Sequence, residues 1–451
     1  MEDIAVISMS AGVGNSTDIE KVEKLFLNGK TDTSRDLTSF WRVDLDSLGL
    51  TSSKAKELSI QQIQTLVHIG RLFKYAGLSS HDNKSVSIFM GADTEGVGKK
   101  QTSKDSIDRI KNRFSSDINF IHSFASHFFG FESESVGIQT ACSSSLTSLY
   151  FGCQSLNARS SDLSIVGGIS LKEIDEQIKN VPGMIYSPTN ICLPFDKSAD
   201  GMVEANGVGF VMLKRLSDAQ KDGNEILAII DSVAINSDDD QKMSFFATSI
   251  SGEMNLYKKV FNNSTVLPES LDFVEAHGTG TQLGDYAELT ALSSFFENRK
   301  RKLPISSSKA QLGHCIHAAG ILGLIKTILQ FKDNVIFGLP NFEQLNKNFE
   351  NENSNLIIFK KPVLFIESIL ITKLKNKGWK LFRLPLMTCG RGTGTSLEQL
   401  QNAQLLQTVR GLSPVCLKSQ QNQCGATWKT AFLSVADPRA HWWCRRSAEK
   451  Y

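Results

Sequence analysis

The stretch VGIQTACSSSLTSLYFGC, residues 136–153, passes from a strand pattern to a helix pattern across a single cysteine. The apolar run 136–141 reads as a short strand. Leu146, Leu149, Cys153 and Leu156 then recur at spacings of three and four, the signature of one face of a helix. Cys142 therefore falls at or just before the first helical turn, where unpaired backbone N–H groups and the positive end of the helix dipole favour a thiolate. Ser143, Ser144 and Ser145 suit an exposed first turn and leave room for a substrate. On this stretch alone, a buried structural thiol like Cys153 is an equal alternative to a nucleophile.

Two further stretches carry polar groups at the ends of strand patterns. In LDFVEAHGTGTQLGD, 271–285, a strand ends at Glu275-Ala276 and His277 follows, ahead of Gly278, Gly280 and Gly284. An imidazole at a strand's C-terminal end beside glycines is placed to meet a ligand. Taken alone, a turn histidine satisfied by backbone is the simpler account. Asp285 and Glu288 are expected to open the next helix, complementing its dipole. In LPISSSKAQLGHCIHAAGILGLIKTILQF, 303–331, a strand leads to Lys309, then His314, then a helix that is apolar nearly all round. That helix is expected to be central and buried, with His317 in a packing or hydrogen-bonding role.

The rest of the chain sets the frame. Strand patterns at 4–9, 85–92, 163–171, 208–216 and 227–236 alternate with helix patterns such as 18–29, which argues for a layered α/β protein. A net charge of +2 over 451 residues gives no electrostatic case for nucleic acid or an anionic membrane. No apolar run reaches the roughly 20 residues that span a bilayer, and the N-terminus is acidic at once. Eight cysteines are too few and too irregular for a disulfide framework, so a cytoplasmic protein with reduced thiols is expected. Composition shifts late: one tryptophan, Trp41, lies in 1–378 and the other four follow it. Residues 366–451 show no clear strand–helix alternation and are expected to form a divergent, poorly ordered tail.

TACSSSL, VEAHGTGTQLGD and SSSKAQLGHCIHAAGI, in that order, resemble the three active-site motifs of β-ketoacyl synthases, specifically the ketosynthase domains of modular type I polyketide synthases. IAVISMS, SPTNICLPFDKSADG and GVGFVMLKRLSDA support the resemblance, which covers about residues 3–362. It implies a thiolase-like α/β fold, five layers αβαβα built from two similar halves: 1–250 carrying Cys142, and 251–365 carrying His277 and His314 with its C-terminal part incomplete. It further implies decarboxylative condensation of an acyl group held on Cys142 with a malonyl-type extender, in polyketide or fatty acid biosynthesis. The acyl chains would ride on the phosphopantetheine of an acyl carrier protein. His277 and His314 would stabilise the enolate, and Lys309 would support the second histidine and the charge balance. No cofactor or metal is required of the domain itself, the Cys/His spacings form no zinc pattern, and a homodimer is the usual state.

The chain departs from the family pattern at several points. Ile316 stands where a glutamate is usual, Asn206 stands in a Gly-Glu-Gly position, and Ser59-Ile60-Gln61-Gln62-Ile63 lacks the usual aspartate and arginine. The family's C-terminal Gly-Phe-Gly-Gly-Thr-Asn loop is missing. A competing reading is therefore a catalytically impaired fragment acting as a dimerisation or interaction module.

Overall fold

The computed structural model describes residues 2–45, 48–93, 118–173, 185–237, 248–346, 349, 355–364, 382–389 and 404–411. The first half of the fold contains strands β1 (Ile4–Val13), β2 (Val86–Ala92), β3 (Ser135–Gly137), β4 (Leu163–Ser170) and β5 (Gly207–Arg215). Their order in the sheet is β1-β5-β4-β2-β3. β5 runs antiparallel to both β1 and β4, while β4, β2 and β3 run parallel.

The second half starts at β6 (Ala228–Asn236), which pairs antiparallel with β1, and continues with β7 (Phe273–Glu275), β8 (Leu303–Ser306) and β10 (Leu356–Ile358). A short pair, β9 (Val335–Ile336) with β11 (Val363–Leu364), stands apart from the main sheet. By sheet position β6 opens the second half, so the structural division falls between β5 and β6 rather than at residue 250. Again the outer strands β7, β8 and β10 run parallel.

Side-chain alternation explains the layering. On β1, Val6 and Met9 belong to one core cluster while Ala5 and Ile7 belong to another. On β5, Val211 and Leu213 face the first cluster and Val208, Phe210 and Met212 face the second. Both faces of the first half's sheet are thus covered, and its strands read as nearly continuous apolar runs.

The shared cluster is filled by two helices, α4 (Ser144–Asn157) and α7 (Ala319–Asp333). α4 packs on β2, β4, β5 and β6, and α7 packs on β5 and on β7 and β9. On the far side of the first half lie α2 (Ile60–Ala76) and α3 (Ile118–Phe129); on the far side of the second lie α5 (Ile250–Asn262) and α6 (Gln282–Phe295), around their own core. Helix α1 (Ile19–Leu27) packs against β1 and α7. The result is the expected five layers.

Sequence departures from the family pattern are absorbed locally. Ser59 and Gln62 form a reciprocal capping box at the start of α2, and Gly77 ends that helix in a left-handed conformation. The Gln61 amide bonds the Asp93 carbonyl at 3.0 Å. Asn206 donates to the carbonyls of Arg35 and Lys172 and accepts from the Lys172 N–H.

The late segment differs from the expectation of a poorly ordered tail in two places. β12 (Phe382–Cys389) and β13 (Gln404–Gly411) form an antiparallel pair inserted between β6 and β7. Pro385 hides this strand from a sequence reading, since proline lacks the ladder N–H and argues against an interior strand. The ladder to β6 shifts register at Leu384/Pro385. The remainder of 366–451, including all four late tryptophans, lies outside the described residues. Among the described residues no helix is long and apolar enough to cross a membrane.

Candidate active site

Cys142 sits in a 3-10 turn, Ala141–Ser143, that runs directly into α4. The expected strand over 136–141 is shorter, ending at Gly137, and irregular backbone over 138–140 leads into the turn. Ala141 has φ of 51°, a left-handed conformation that an alanine adopts only at a cost. The backbone is thereby bent sharply just before the sulfur.

His277 follows β7, and His314 follows a one-turn helix, Lys309–Leu312, whose C-terminal Gly313 has φ of 68°. The structure brings all three together. One sulfur or nitrogen atom from each of Cys142, His277 and His314 lies within 4.8 Å of the other two, and all three residues are buried. The two imidazoles meet edge to face, with centroids 5.4 Å apart.

The main chain of His277 is held on both sides while its ring is left unengaged. Its N–H donates to Glu288 Oε1 at 2.7 Å and the Gly278 N–H donates to Oε2 at 2.8 Å. The carbonyl of His277 accepts from Lys309 Nζ at 2.7 Å and from Ser307 Oγ at 3.1 Å. Among the described residues neither ring nitrogen has a hydrogen-bond partner. Two polar atoms buried without partners are costly unless something else meets them, as in a reaction site.

Asp285 holds the next stretch of the same loop, accepting from the N–H groups of Thr279, Gly280 and Phe195. Asp285 stands in the first turn of α6 as expected, and both Asp285 and Glu288 also turn back and satisfy the histidine loop. Burial pushes both carboxyls up to about 7, against the backbone N–H groups that favour the charged form.

His314 is fixed differently. Its Nδ1 accepts the Ile316 N–H at 3.1 Å, so the neutral ring carries its proton on Nε2, which has no partner among the described residues. Three nitrogen and sulfur atoms at this range resemble part of a metal site. This tautomer opposes that use, because binding a cation at Nε2 would push the proton to Nδ1 against a backbone N–H. The arrangement suits donation of a hydrogen bond from Nε2.

Lys309 departs from its expected partner. Its direct bond is to the carbonyl of His277, and it reaches His314 through its charge, which adds to burial in holding that ring's pKa well below the usual value.

A further residue escaped the sequence reading. Glu275, read only as a strand end, accepts the Ser308 N–H and pairs with Lys326 Nζ at 2.9 Å, with both side chains fully buried. The signal was a lysine at 326 in a helix otherwise apolar nearly all round. His317 makes the hydrogen bond expected of it, to Ser144.

Stability should depend steeply on acid. Burial holds His68, His277 and His314 well below 6.5 and His317 at about 4. Below about 6.5 the unfolded chain takes up protons at these sites and the folded chain does not, so stability is lost as pH falls. Asp285 and Glu288, raised when folded, bind protons more readily than their unfolded counterparts between about 7 and 4 and offset part of that loss. Together these six groups should lower stability as the pH falls from about 6 toward 4.5, the histidine loss outweighing the carboxyl gain. Urea denaturation across that range checks the slope; a flat profile would show that the histidines are hydrated.

Comparison with known proteins agrees with the geometry. Residues 37–219 match the family "Beta-ketoacyl synthase, N-terminal domain" and residues 227–343 match "Beta-ketoacyl synthase, C-terminal domain". Probable polyketide synthase 10 of Dictyostelium discoideum is 33% identical over 341 residues, 73% of this chain and 14% of that protein. A non-reducing polyketide synthase of Emericella nidulans is 36% identical over 228 residues, 50% of this chain and 9% of that protein. The chain thus spans a small part of the length of these curated relatives. Among solved structures, the ketosynthase from module 1 of the bacillaene synthase of Bacillus amyloliquefaciens superposes with a TM-score of 0.75 at 25% identity, covering 91% of this chain and 76% of that one. Fold, motif order and the meeting of one cysteine with two histidines lead to one conclusion: the chain belongs to the β-ketoacyl synthase family, with the ketosynthase domains of polyketide synthases among its relatives.

Proposed function

We propose that the chain catalyses decarboxylative condensation of acyl thioesters, with Cys142 as nucleophile and His277 and His314 as enolate-stabilising donors. The observation that carries this is the cluster of the three buried groups with the unpartnered imidazole nitrogens. The Cys142 thiolate attacks the carbonyl of an acyl-phosphopantetheine thioester, forming the acyl-cysteine and releasing the carrier thiol. A malonyl-type extender then loses CO2, and the electron pair of the broken C–C bond becomes an enolate. Hydrogen bonds from the imidazoles meet the charge on its thioester oxygen. The enolate carbon attacks the acyl-cysteine, the C–S bond breaks, and the thiolate is regenerated.

Lys309, bound to the His277 carbonyl, positions that histidine and balances charge. The phosphopantetheine arrives with an acyl carrier protein, so the domain itself needs no cofactor. Polyketide assembly in the cytoplasm, where a reduced cysteine persists, fits this reading. A homodimer is supported by the edge strand β3 and its neighbour α4, where Val136 and Phe151 are each 42% exposed. The arrangement of the site disfavours the alternative of an inert interaction module.

Incubation with a labelled acyl-phosphopantetheine thioester, followed by mass spectrometry, should place the label on Cys142, and a Cys142→Ala variant should take none. A folded protein that leaves Cys142 unlabelled would sink the proposal.

A further inference from the structure

We infer that His317 is a positioning residue for Cys142, acting through the Ser144 hydroxyl to hold the turn that presents the sulfur to the two imidazoles. The inference rests on the condensing role proposed for Cys142 and names a residue which that mechanism does not use. Ser144 Oγ lies at a junction of three bonds. It accepts the Thr140 N–H at 3.0 Å, donates to the Ala141 carbonyl at 2.7 Å, and meets His317 Nδ1 at 3.1 Å. A hydroxyl has one proton, and here it goes to Ala141, so the His317 ring must be the donor from Nδ1. This is the opposite tautomer from His314, three residues earlier.

The bonded ring encloses Ala141, the residue held at φ of 51°, and so keeps a costly backbone conformation in place immediately before Cys142. A second tie runs parallel to it: Ser145 Oγ accepts the Ile321 N–H at 3.1 Å. One tie joins the start of α4 to the turn leading from His314 into α7 and the other to the first turn of α7 itself, so together they set the spacing between sulfur and imidazole. Packing leaves the pair little freedom. Beneath it is Gly91, where a Cβ would come within 2.4 Å of Ser144 Cβ and 3.4 Å of His317 Cβ.

The test uses two rates on the full chain: alkylation of Cys142 by iodoacetamide, and acyl loading from a labelled phosphopantetheine thioester. His317→Ala should slow both by about tenfold or more, since small misplacement of a reacting atom is costly, while the KM for the extender thioester stays unchanged. His317→Asn keeps an N–H donor at nearly the same reach and should restore both rates to near wild type. Ser144→Ala should reproduce the defect, and the double variant should be no slower than Ser144→Ala alone.

Wild-type rates in His317→Ala would overturn the inference. So would a His317→Asn variant as slow as His317→Ala, or additive losses in the double variant. If His317→Ala melts well below wild type, His317→Gln takes its place in the rescue comparison with the same criteria. Should the wild-type chain alkylate but never load or condense, the condensing role fails, and the alkylation series still decides the role of His317.

Discussion

Replacing either histidine of the cluster by alanine is expected to lower condensation by about 100- to 1,000-fold while leaving acylation of Cys142 nearly intact, the loss typical of one oxyanion donor. The two half-reactions separate because they use different groups. Thioester exchange calls on the Cys142 sulfur at the start of a helix, whose N-terminal end favours a thiolate without either imidazole. Decarboxylation builds charge on the extender's oxygen, and the donors proposed for it are Nε2 of His314 and the ring of His277, unpartnered among the described residues. Burial keeps both rings neutral through the physiological range, so each offers an N–H without adding a buried cation. Release of labelled CO2 from a malonyl thioester, measured beside the mass of the acyl-enzyme, distinguishes the steps. A His314→Ala variant that decarboxylates at the wild-type rate would remove that residue from the mechanism.

The second large effect is on stability. Lys326→Met should destabilise the protein by about 3–5 kcal/mol, because it leaves the Glu275 carboxylate buried without its partner. A typical domain is stable by only about 5–15 kcal/mol, so this single change would remove about a fifth of the margin or more. The pair does more than balance charge. Glu275 ends the strand before His277 and accepts the Ser308 N–H ahead of Lys309, while Lys326 lies on α7 and also bonds Ser306 Oγ. Removing both charges, as in Glu275→Gln with Lys326→Met, should recover much of the loss, since two neutral groups carry no uncompensated buried charge. Urea unfolding of the single and double variants measures the difference; equal destabilisation in both would show that the ion pair contributes little.

Much of this was legible in the sequence, and the limits have physical causes. Apolar spacing located α4 and α7, because both are set by local periodicity, and it put Cys142 at a junction. That His277 and His314 would meet it, from 135 and 172 positions away, came only from motif resemblance. Partnerships across the fold stayed hidden: the turn-back of Asp285 and Glu288, the Lys309 bond to His277, and the Lys326–Glu275 pair all join residues on different elements. The change at Ile316 looked damaging, yet the bond it supplies to His314 comes from its backbone N–H, which any residue but proline can offer. Pro385 had the opposite effect, disguising a strand.

Among the described residues the named strands of the two halves meet at one short seam, Ile4, Ala5 and Val6 of β1 against Ile230, Ile229 and Ala228 of β6, and isolated bridges add Glu204 against His314 and Asp196 against Leu345. The sulfur belongs to one half and both imidazoles to the other, so their spacing is a property of how the halves are seated, not of either half alone. A slip of an ångström or two along the buried α4–α7 layer would leave each core intact and still pull the nucleophile out of reach. Inactivation should therefore run ahead of unfolding: on gentle warming or in dilute denaturant, the chain would fall silent as a catalyst while its spectrum still reads as native.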